Sequence, residues 1–493
     1  MPTDSPPSIT QQVETVIVGA GFSGIGMAIA LRRAGIEDFV VLEKAGRVGG
    51  TWRENSYPGA ACDVPSHLYS FSFDPNPGWT RAFSPQPEIL AYLERCADKH
   101  GVRPHLRLAT GVRSATWDGA AARWVVRCTD GRVFVARALV LGNGALHLPA
   151  FPDIPGLDTF NGKCFHSAQW DHDHDLTGRD VAVIGTGASA IQFVPAIAPV
   201  VGKLRLFQRT PAWVMPRPDH AIGPRARSLY ARWPALQRLV RASIYWRLEG
   251  RAIGFSRPSI LRLAEPLVRH HIARNVRDPT LRAALTPTYR MGCKRILLSN
   301  EYYPALQRPN VEVITAAIAR IEPAGVRTTD GTLHPADTIV LGTGFRVSEY
   351  LSAIEIFGAG GRDLDDVWRD GPAAYLGITV AGFPNLFLLM GPNTGLGHNS
   401  MIFMIEAQVR YTLQCIQALR AGERRRAIDV RPEVQATFND ALQASLGRSV
   451  WATGCHSWYQ TSAGRNSALW PGFTVDYWRR TRRVDLDDYT MTP

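Results

Sequence analysis

The chain carries two copies of one local pattern, and together they restrict the folds open to it. In the first copy, residues 14–24 read ETVIVGAGFSG. A short β-branched run meets Gly19-x-Gly21-x-x-Gly24, and an apolar helical stretch follows over 25–34. The first glycine permits a tight turn and the second lets backbone approach a pyrophosphate. The third lets helix pack on strand, with the N–H groups of the helix start facing the phosphates. The next apolar run, 39–42, ends in Glu43, a carboxylate placed to accept hydrogen bonds from ribose hydroxyls. Lys44 and the glycines after it fit the flavin form of this motif.

In the second copy, residues 181–184 lead into Gly185-Thr186-Gly187-Ala188-Ser189-Ala190, a helical run follows over 191–197, and the strand 204–207 ends in Gln208-Arg209-Thr210. Glu43 lies 24 residues after Gly19, and Arg209 lies 24 residues after Gly185. Equating the two positions replaces an acid by a guanidinium. A carboxylate repels a 2′-phosphate, whereas arginine binds it bidentately. The pattern therefore predicts an α/β fold with two Rossmann-like dinucleotide-binding domains, the first for FAD and the second for NADPH.

At 493 residues the chain is long enough for two to four domains at about 150 residues each. No run of 18 or more apolar residues occurs, so no spanning helix is expected. The first twelve residues lack the basic-then-apolar order of a secretory leader, and a cytoplasmic enzyme is expected. Seven scattered cysteines, none spaced as CxxC, predict reduced and mostly buried thiols rather than a disulfide framework or zinc site. The formal charge of +12 is carried almost wholly by arginine, without a basic tail or a nucleic-acid module. A phosphate-rich ligand needs only a few of those arginines. The run Asp171-His172-Asp173-His174-Asp175 reads as an exposed polar turn, because neighbours in a loop point different ways; no metal is expected.

Two further segments carry a resemblance. Between the glycine units runs Phe160-x-Gly162-x3-His166-x3-Trp170-Asp171, and upstream lies Gly49-Gly50-Thr51-Trp52-x4-Tyr57-Pro58-Gly59-x3-Asp63. With these the chain resembles the class B flavoprotein monooxygenases and, among them, the Baeyer–Villiger monooxygenases. The first run is similar to that family's fingerprint, FxGxxxHxxxW followed by Pro or Asp, and the second to its longer signature. Every defined position is filled, and the resemblance spans essentially the whole chain. It implies an FAD-dependent, NADPH-consuming enzyme that inserts one atom of O2 beside a ketone carbonyl. The product is an ester or lactone, formed through a C4a-peroxyflavin and a tetrahedral Criegee adduct.

The same resemblance implies roles for particular residues. Arg295 is the active-site cation that stabilises the peroxide and adduct anions, and Asp63 is the ion-pair partner that orients it. Lys294 joins Arg209 and Thr210 at the NADPH 2′-phosphate, with Gly185, Thr186, Gly187 and Ser189 around the pyrophosphate. Gly50, Thr51 and Trp52 join Gly19, Gly21, Gly24 and Glu43 around FAD. Met390 and Asn393 bring backbone N–H groups to the isoalloxazine edge, and Trp458 lies against NADPH. His166 is assigned a structural or conformational role. Asn143 stands in Gly142-Asn143-Gly144 where relatives more often show Ala-Thr-Gly, and Gly464-Arg465-Asn466 also departs from familiar members. Substrate rules of those members are therefore not transferred.

The expected organisation is an FAD domain from 1–151 and 381–493, an NADPH domain from 152–220 and 291–380, and a helical insertion over 221–290. The insertion is studded with arginine and carries Leu229, Trp233, Leu236, Val240 and Ile244 at helical spacing, with Pro234, Pro258 and Pro266 expected to break it. It is expected to line the ketone entrance. A basic amphipathic helix can also rest on a membrane. Snorkelling arginines on a solvated helix give the same sequence, and the solvated reading is preferred. Monomer and homodimer both fit. The rival activity, N- or S-oxygenation by a related flavin enzyme, needs neither Arg295 nor Trp170.

Overall fold

The computed structural model describes residues 10–349, 351, 353–422, 426–455, 457–461 and 463–492; the first nine residues of the polar N-terminal stretch lie outside it. The first apolar pattern folds as β1 (Thr10–Val18), β2 (Phe39–Leu42), β3 (Leu106–Arg107), β4 (Val112–Asp118), β5 (Arg123–Cys128) and β6 (Val133–Leu141). The second gives β7 (Lys163–His166), β8 (Asp180–Ile184), β9 (Lys203–Phe207), β10 (Val311–Ile314) and β11 (Thr338–Leu341), after which β12 (Glu355–Phe357) and β13 (Leu386–Leu388) follow. One sheet has the order β12-β4-β5-β6-β1-β2-β3 with β13 also paired to β6, and the other has the order β10-β9-β8-β11-β7. Every pairing in the second sheet is parallel. Val16, Ile17, Val181 and Val183 are fully buried, as parallel strands covered on both faces require. This is the α/β architecture with two Rossmann-like units that the glycine patterns predict.

Where the chain returns to the first sheet differs from expectation. Residues 291–380 are predicted to belong with the second unit, yet β12 pairs with β4, Glu355 standing opposite Ser114. Its central Ile356 packs into the core beneath β4 and β5 together with Trp124 and Phe134. Three residues are too short to show a period, which is why the sequence does not reveal them as a strand.

Five helices form the insertion: after α1 (Phe22–Arg33) and α2 (Ala190–Ile197) come α3 (Pro224–Arg232), α4 (Pro234–Glu249), α5 (Ala252–Ser256), α6 (Pro258–Asn275) and α7 (Pro279–Leu285). Pro234 and Pro258 occupy the first helical position, where a missing N–H costs nothing. Pro266 does not break its helix, contrary to expectation, and α6 runs through it. Pro266 and Arg262 are both exposed, so the carbonyl that proline leaves without a partner faces water.

Candidate active site

Strand register brings the chemistry-bearing residues to one edge of each sheet. Val18 pairs with Leu42 and with Leu141, so Gly19, Glu43 and Gly142 all stand just beyond the strand ends. Leu388 also pairs with Leu141, which brings Met390 to the same edge. Ligands of open parallel sheets bind at this carboxyl end. Glu43 is buried, and its carboxylate accepts from the N–H of Ala20 (2.8 Å), the N–H of Ala45 (3.0 Å) and Arg53 Nη1 (3.1 Å). The acid is thus fixed against the glycine turn that it accompanies. Thr51 opens a short helix, Thr51–Glu54, just past Gly50, and Trp52 Nε1 donates to Tyr69 Oη (3.0 Å). No side chain caps α1, whose first N–H groups face the turn.

In the second sheet Ile184 pairs with Phe207 and with Leu341, so Gly185, Gln208 and Gly342 stand at the edge. This corrects the equivalence drawn from the 24-residue spacing. Gln208, not Arg209, holds the ladder position of Glu43, because the stretch from first glycine to strand end is one residue shorter in the second unit. Gln208 is buried and its Nε2 donates to the Ala284 carbonyl (2.8 Å), while Arg209 is exposed at the rim. Removal of the acid holds, since an amide occupies its place. Thr186 Oγ1 donates to the Thr210 carbonyl (3.1 Å), tying the glycine turn to the end of β9. Lys294 lies over the Tyr289 ring (5.0 Å); burial, and then the nearby Arg209 cation, pull its ammonium below the ordinary lysine range. Two cations near enough to feel each other suit an anion.

The glycines divide by what demands them. A Cβ on Gly24 would lie 1.8 Å from the Gly19 carbonyl oxygen, so helix–strand packing alone requires that glycine. A Cβ on Gly187 would meet nothing within 4 Å. The protein itself does not require glycine at 187, and the open space before an uncapped α2 is what a pyrophosphate would take up. Gly187→Ala is accordingly expected to leave folding stability within about 1 kcal/mol of wild type while NADPH binding weakens about tenfold or more. Thermal melts and coenzyme titration check both halves.

Between the two edges lies an ion pair. Arg295 donates from Nε (3.0 Å) and Nη2 (2.5 Å) to the same Asp63 oxygen, Oδ2, and from Nη1 to the Leu396 carbonyl (3.4 Å). Asp63 holds the guanidinium well above its usual range, so it stays charged, and the buried Tyr459 hydroxyl, pushed up to about 12 by burial, faces it as well. The two side chains keep 30% and 28% of their surface accessible, which leaves the cation open to a reacting group. Beside them Cys293 and Cys455 form a disulfide, with Cα atoms 6.2 Å apart. That corrects the expectation of seven reduced thiols: a pair 162 residues apart leaves no mark in local spacing. The other five cysteines are free.

Comparison with known proteins identifies the family. Residues 16–228 match a family model described as pyridine nucleotide-disulphide oxidoreductase. Across its full length the chain is 48% identical to a Baeyer-Villiger monooxygenase of Pseudomonas aeruginosa, covering 94% of that protein. The chain belongs to the Baeyer–Villiger monooxygenase family. A Baeyer-Villiger monooxygenase of Streptomyces coelicolor is 50% identical over 98% of this chain and 93% of its own. The crystal structure of cyclohexanone monooxygenase from Rhodococcus sp. Phi1 bound to NADP+ superposes with a TM-score of 0.89 at 30% identity, covering 98% of this chain and 99% of that one.

The residues of the Baeyer–Villiger fingerprint occupy packing positions. Phe160 joins the apolar layer under β11, and a Cβ on Gly162 would lie 2.2 Å from the Asp337 carbonyl oxygen. Trp170 packs on Phe165 and Phe193, and Asp171 pairs with Lys163 (2.7 Å). His166 is fully buried against Phe151 and Phe345; burial lowers its pKa, and its Nδ1 accepts from the Ala168 N–H (3.1 Å). A neutral, ring-packed histidine beside the crossing strands suits the structural role. His172 and His174 reach Ser56 (2.8 Å) and Thr338 (2.8 Å) separately and do not converge. In the longer signature Tyr57 Oη donates to Gln192 Oε1 (3.0 Å) on α2, so this segment clasps the second nucleotide unit.

Three placements depart from the sequence or escape it. The N–H groups of Met390 and Asn393, expected at a flavin edge, are used inside the protein, by Gln408 Oε1 (2.8 Å) and the Ser467 carbonyl (2.8 Å). Both residues sit at positive φ in a turn that needs those bonds. Trp458, expected against NADPH, is 48% exposed and packs on Tyr459. Glu249, absent from the sequence reading, closes α4 with a buried carboxylate that accepts from Asn399 (2.7 Å), Thr474 (2.7 Å) and the Val475 N–H (3.0 Å), with His398 at 3.5 Å. Only a lone acid amid apolar residues signals it in the sequence.

Glu249 yields a pH prediction. Burial raises its pKa, but the His398, Thr474, Val475 and Asn399 bonds outweigh burial and bring it from 4.5 to about 2. A depressed acid contributes stability that is present above the unfolded pKa and lost as pH falls through the folded one. Glu249→Gln is therefore expected to remove about 3 kcal/mol at neutral pH and to flatten the stability loss between pH 4.5 and 2. Urea melts across that range check it.

Proposed function

We propose that this chain converts ketones to esters or lactones, using FAD, NADPH and O2. The observation that carries the reading is Arg295, held charged by Asp63 yet accessible, between two dinucleotide-type sheet edges. The residues present fit both cofactors. Glu43 suits a ribose at the first edge, while the second has Gln208 in place of an acid and Arg209 with Lys294 for a 2′-phosphate. The first sheet is assigned to FAD and the second to NADPH, with the helical insertion beside them.

When bound, reduced flavin supplies the activated oxygen. The protein's part is electrostatic. Arg295 faces the negative charge that develops on the former carbonyl oxygen, and one such preorganised donor contributes about 3–4 kcal/mol to the barrier. Asp63 engages Nε and Nη2 and so fixes the plane of the guanidinium, while Nη1 spends one N–H on the Leu396 carbonyl and keeps its second to donate. Lys294, one residue before Arg295, links coenzyme phosphate to the reacting cation through two adjacent backbone units. A panel of cyclic, aryl and long-chain ketones, followed by NADPH consumption and product mass spectrometry, tests the reading. Ester formation from at least one class is expected. Turnover confined to amines and sulfides would replace it with N- or S-oxygenation.

A further inference from the structure

We propose that the helical insertion docks on an anionic lipid bilayer surface through the outer faces of α4, α5 and α6. Among the described residues, eight of the thirteen exposed large apolar side chains lie within this 70-residue segment. They are strongly exposed: Leu263 79%, Leu267 73%, Leu239 67%, Trp246 61% and Trp233 59%. Each helix already has an inward apolar face. Leu248, Val268 and Ile272 are buried, and Tyr245 packs on Phe403. Leu239 and Trp246 are therefore a second, outward stripe on α4, as Ile260, Leu263 and Leu267 are on α6. Leu239, Trp246, Ile253, Ile260 and Leu267 recur every seventh residue, and all five are exposed. Nor does the neighbouring cleft account for them. The cleft of about 720 Å³ beside α6 is lined by Pro258, Ser259, Arg262 and Glu265, not by these side chains.

Charge decides the occupant. Residues 221–290 hold fourteen arginines, no lysine and three carboxylates, a net +11 against +12 for the whole chain. The carboxylates are engaged elsewhere: Glu249 in its buried cluster, Glu265 with Arg290 (3.3 Å), and Asp278 as the cap of α7. Arg238 and Arg247 on α4, and Arg262 and Arg274 on α6, are exposed and have no carboxylate within ion-pair distance among the described residues. A second copy of the chain is a poor occupant, because a two-fold contact sets each patch against itself and would bring both arginine rims together. Anionic headgroups match the rim, while leucine and tryptophan enter the boundary of the acyl chains. The sequence prefers the solvated reading because spacing alone does not show that the inward face is already filled. No described helix is long and apolar enough to cross a membrane, so the contact is a surface one.

The test is sedimentation of the holoprotein with vesicles of phosphatidylcholine alone or mixed with phosphatidylglycerol. Binding to the mixed vesicles is expected, weakening as salt rises. Leu263→Glu with Leu267→Glu should reduce it roughly tenfold with an unchanged melting temperature, and Trp246→Glu should act the same way. Val200→Glu, an exposed apolar site outside the insertion, should change nothing. Equal binding to phosphatidylcholine, or undiminished binding by these variants, overturns the proposal. So does a dimer in light scattering that the leucine pair dissociates without any vesicle binding.

Discussion

Arg295→Ala is expected to lower ketone-to-ester turnover by about 10²–10³-fold while NADPH still bleaches the flavin at close to the wild-type rate. The split follows from geometry. On the proposed assignment the nicotinamide coenzyme depends on the second sheet edge, where Arg209 and Lys294 stay in place, and the charge formed at the former carbonyl depends on the cation bound to Asp63. The reducing equivalents should then appear as hydrogen peroxide. Arg295→Lys should restore little, because an ammonium cannot bond Asp63 through two nitrogens and also reach the Leu396 carbonyl with a third. Stopped-flow reduction paired with product assay separates the two steps. Equal loss in both would reduce Arg295 to a coenzyme-binding residue.

The second large effect belongs to coenzyme choice. Arg209→Ala should raise KM for NADPH by about 30-fold or more, the scale of a charge-assisted pair of hydrogen bonds, and leave KM for NADH nearly unchanged. Gln208 is what makes the second half of this expectation sharp. It stands where Glu43 stands in the first unit, so no carboxylate at that position repels a 2′-phosphate or binds the 2′-hydroxyl of NADH. Its amide is committed to the Ala284 carbonyl and does not move to compensate. Steady-state kinetics with both coenzymes checks the ratio, and a proportional rise in both would remove the 2′-phosphate assignment.

How much of this was legible in the sequence depends on range. Glycine turns and the acid that follows them are local chemistry, and strand, turn and helix appear where the pattern places them. Counting residues misplaces the counterpart of Glu43 by one, because the length of chain between glycine turn and strand end leaves no chemical trace. Asp63 and Arg295 lie 232 residues apart, and only a family resemblance joins them before the fold does. Tyr459, Cys455 and Glu249 act through partners distant in the chain and have no motif of their own. Met390 and Asn393 show a different limit, since a turn's position can be read but not whether its N–H groups are already spent on Gln408 and Ser467. Apolar spacing in the insertion shows stripes without showing which one faces the core.

Single-turnover oxidation of a ketone under ¹⁸O₂, with product mass spectrometry and NADPH counted in parallel, tests the central claim most directly. One labelled oxygen per ester or lactone, with one NADPH consumed, is the predicted result. An ester carrying no label, or a label found only in peroxide and water with every ketone unchanged, would contradict it.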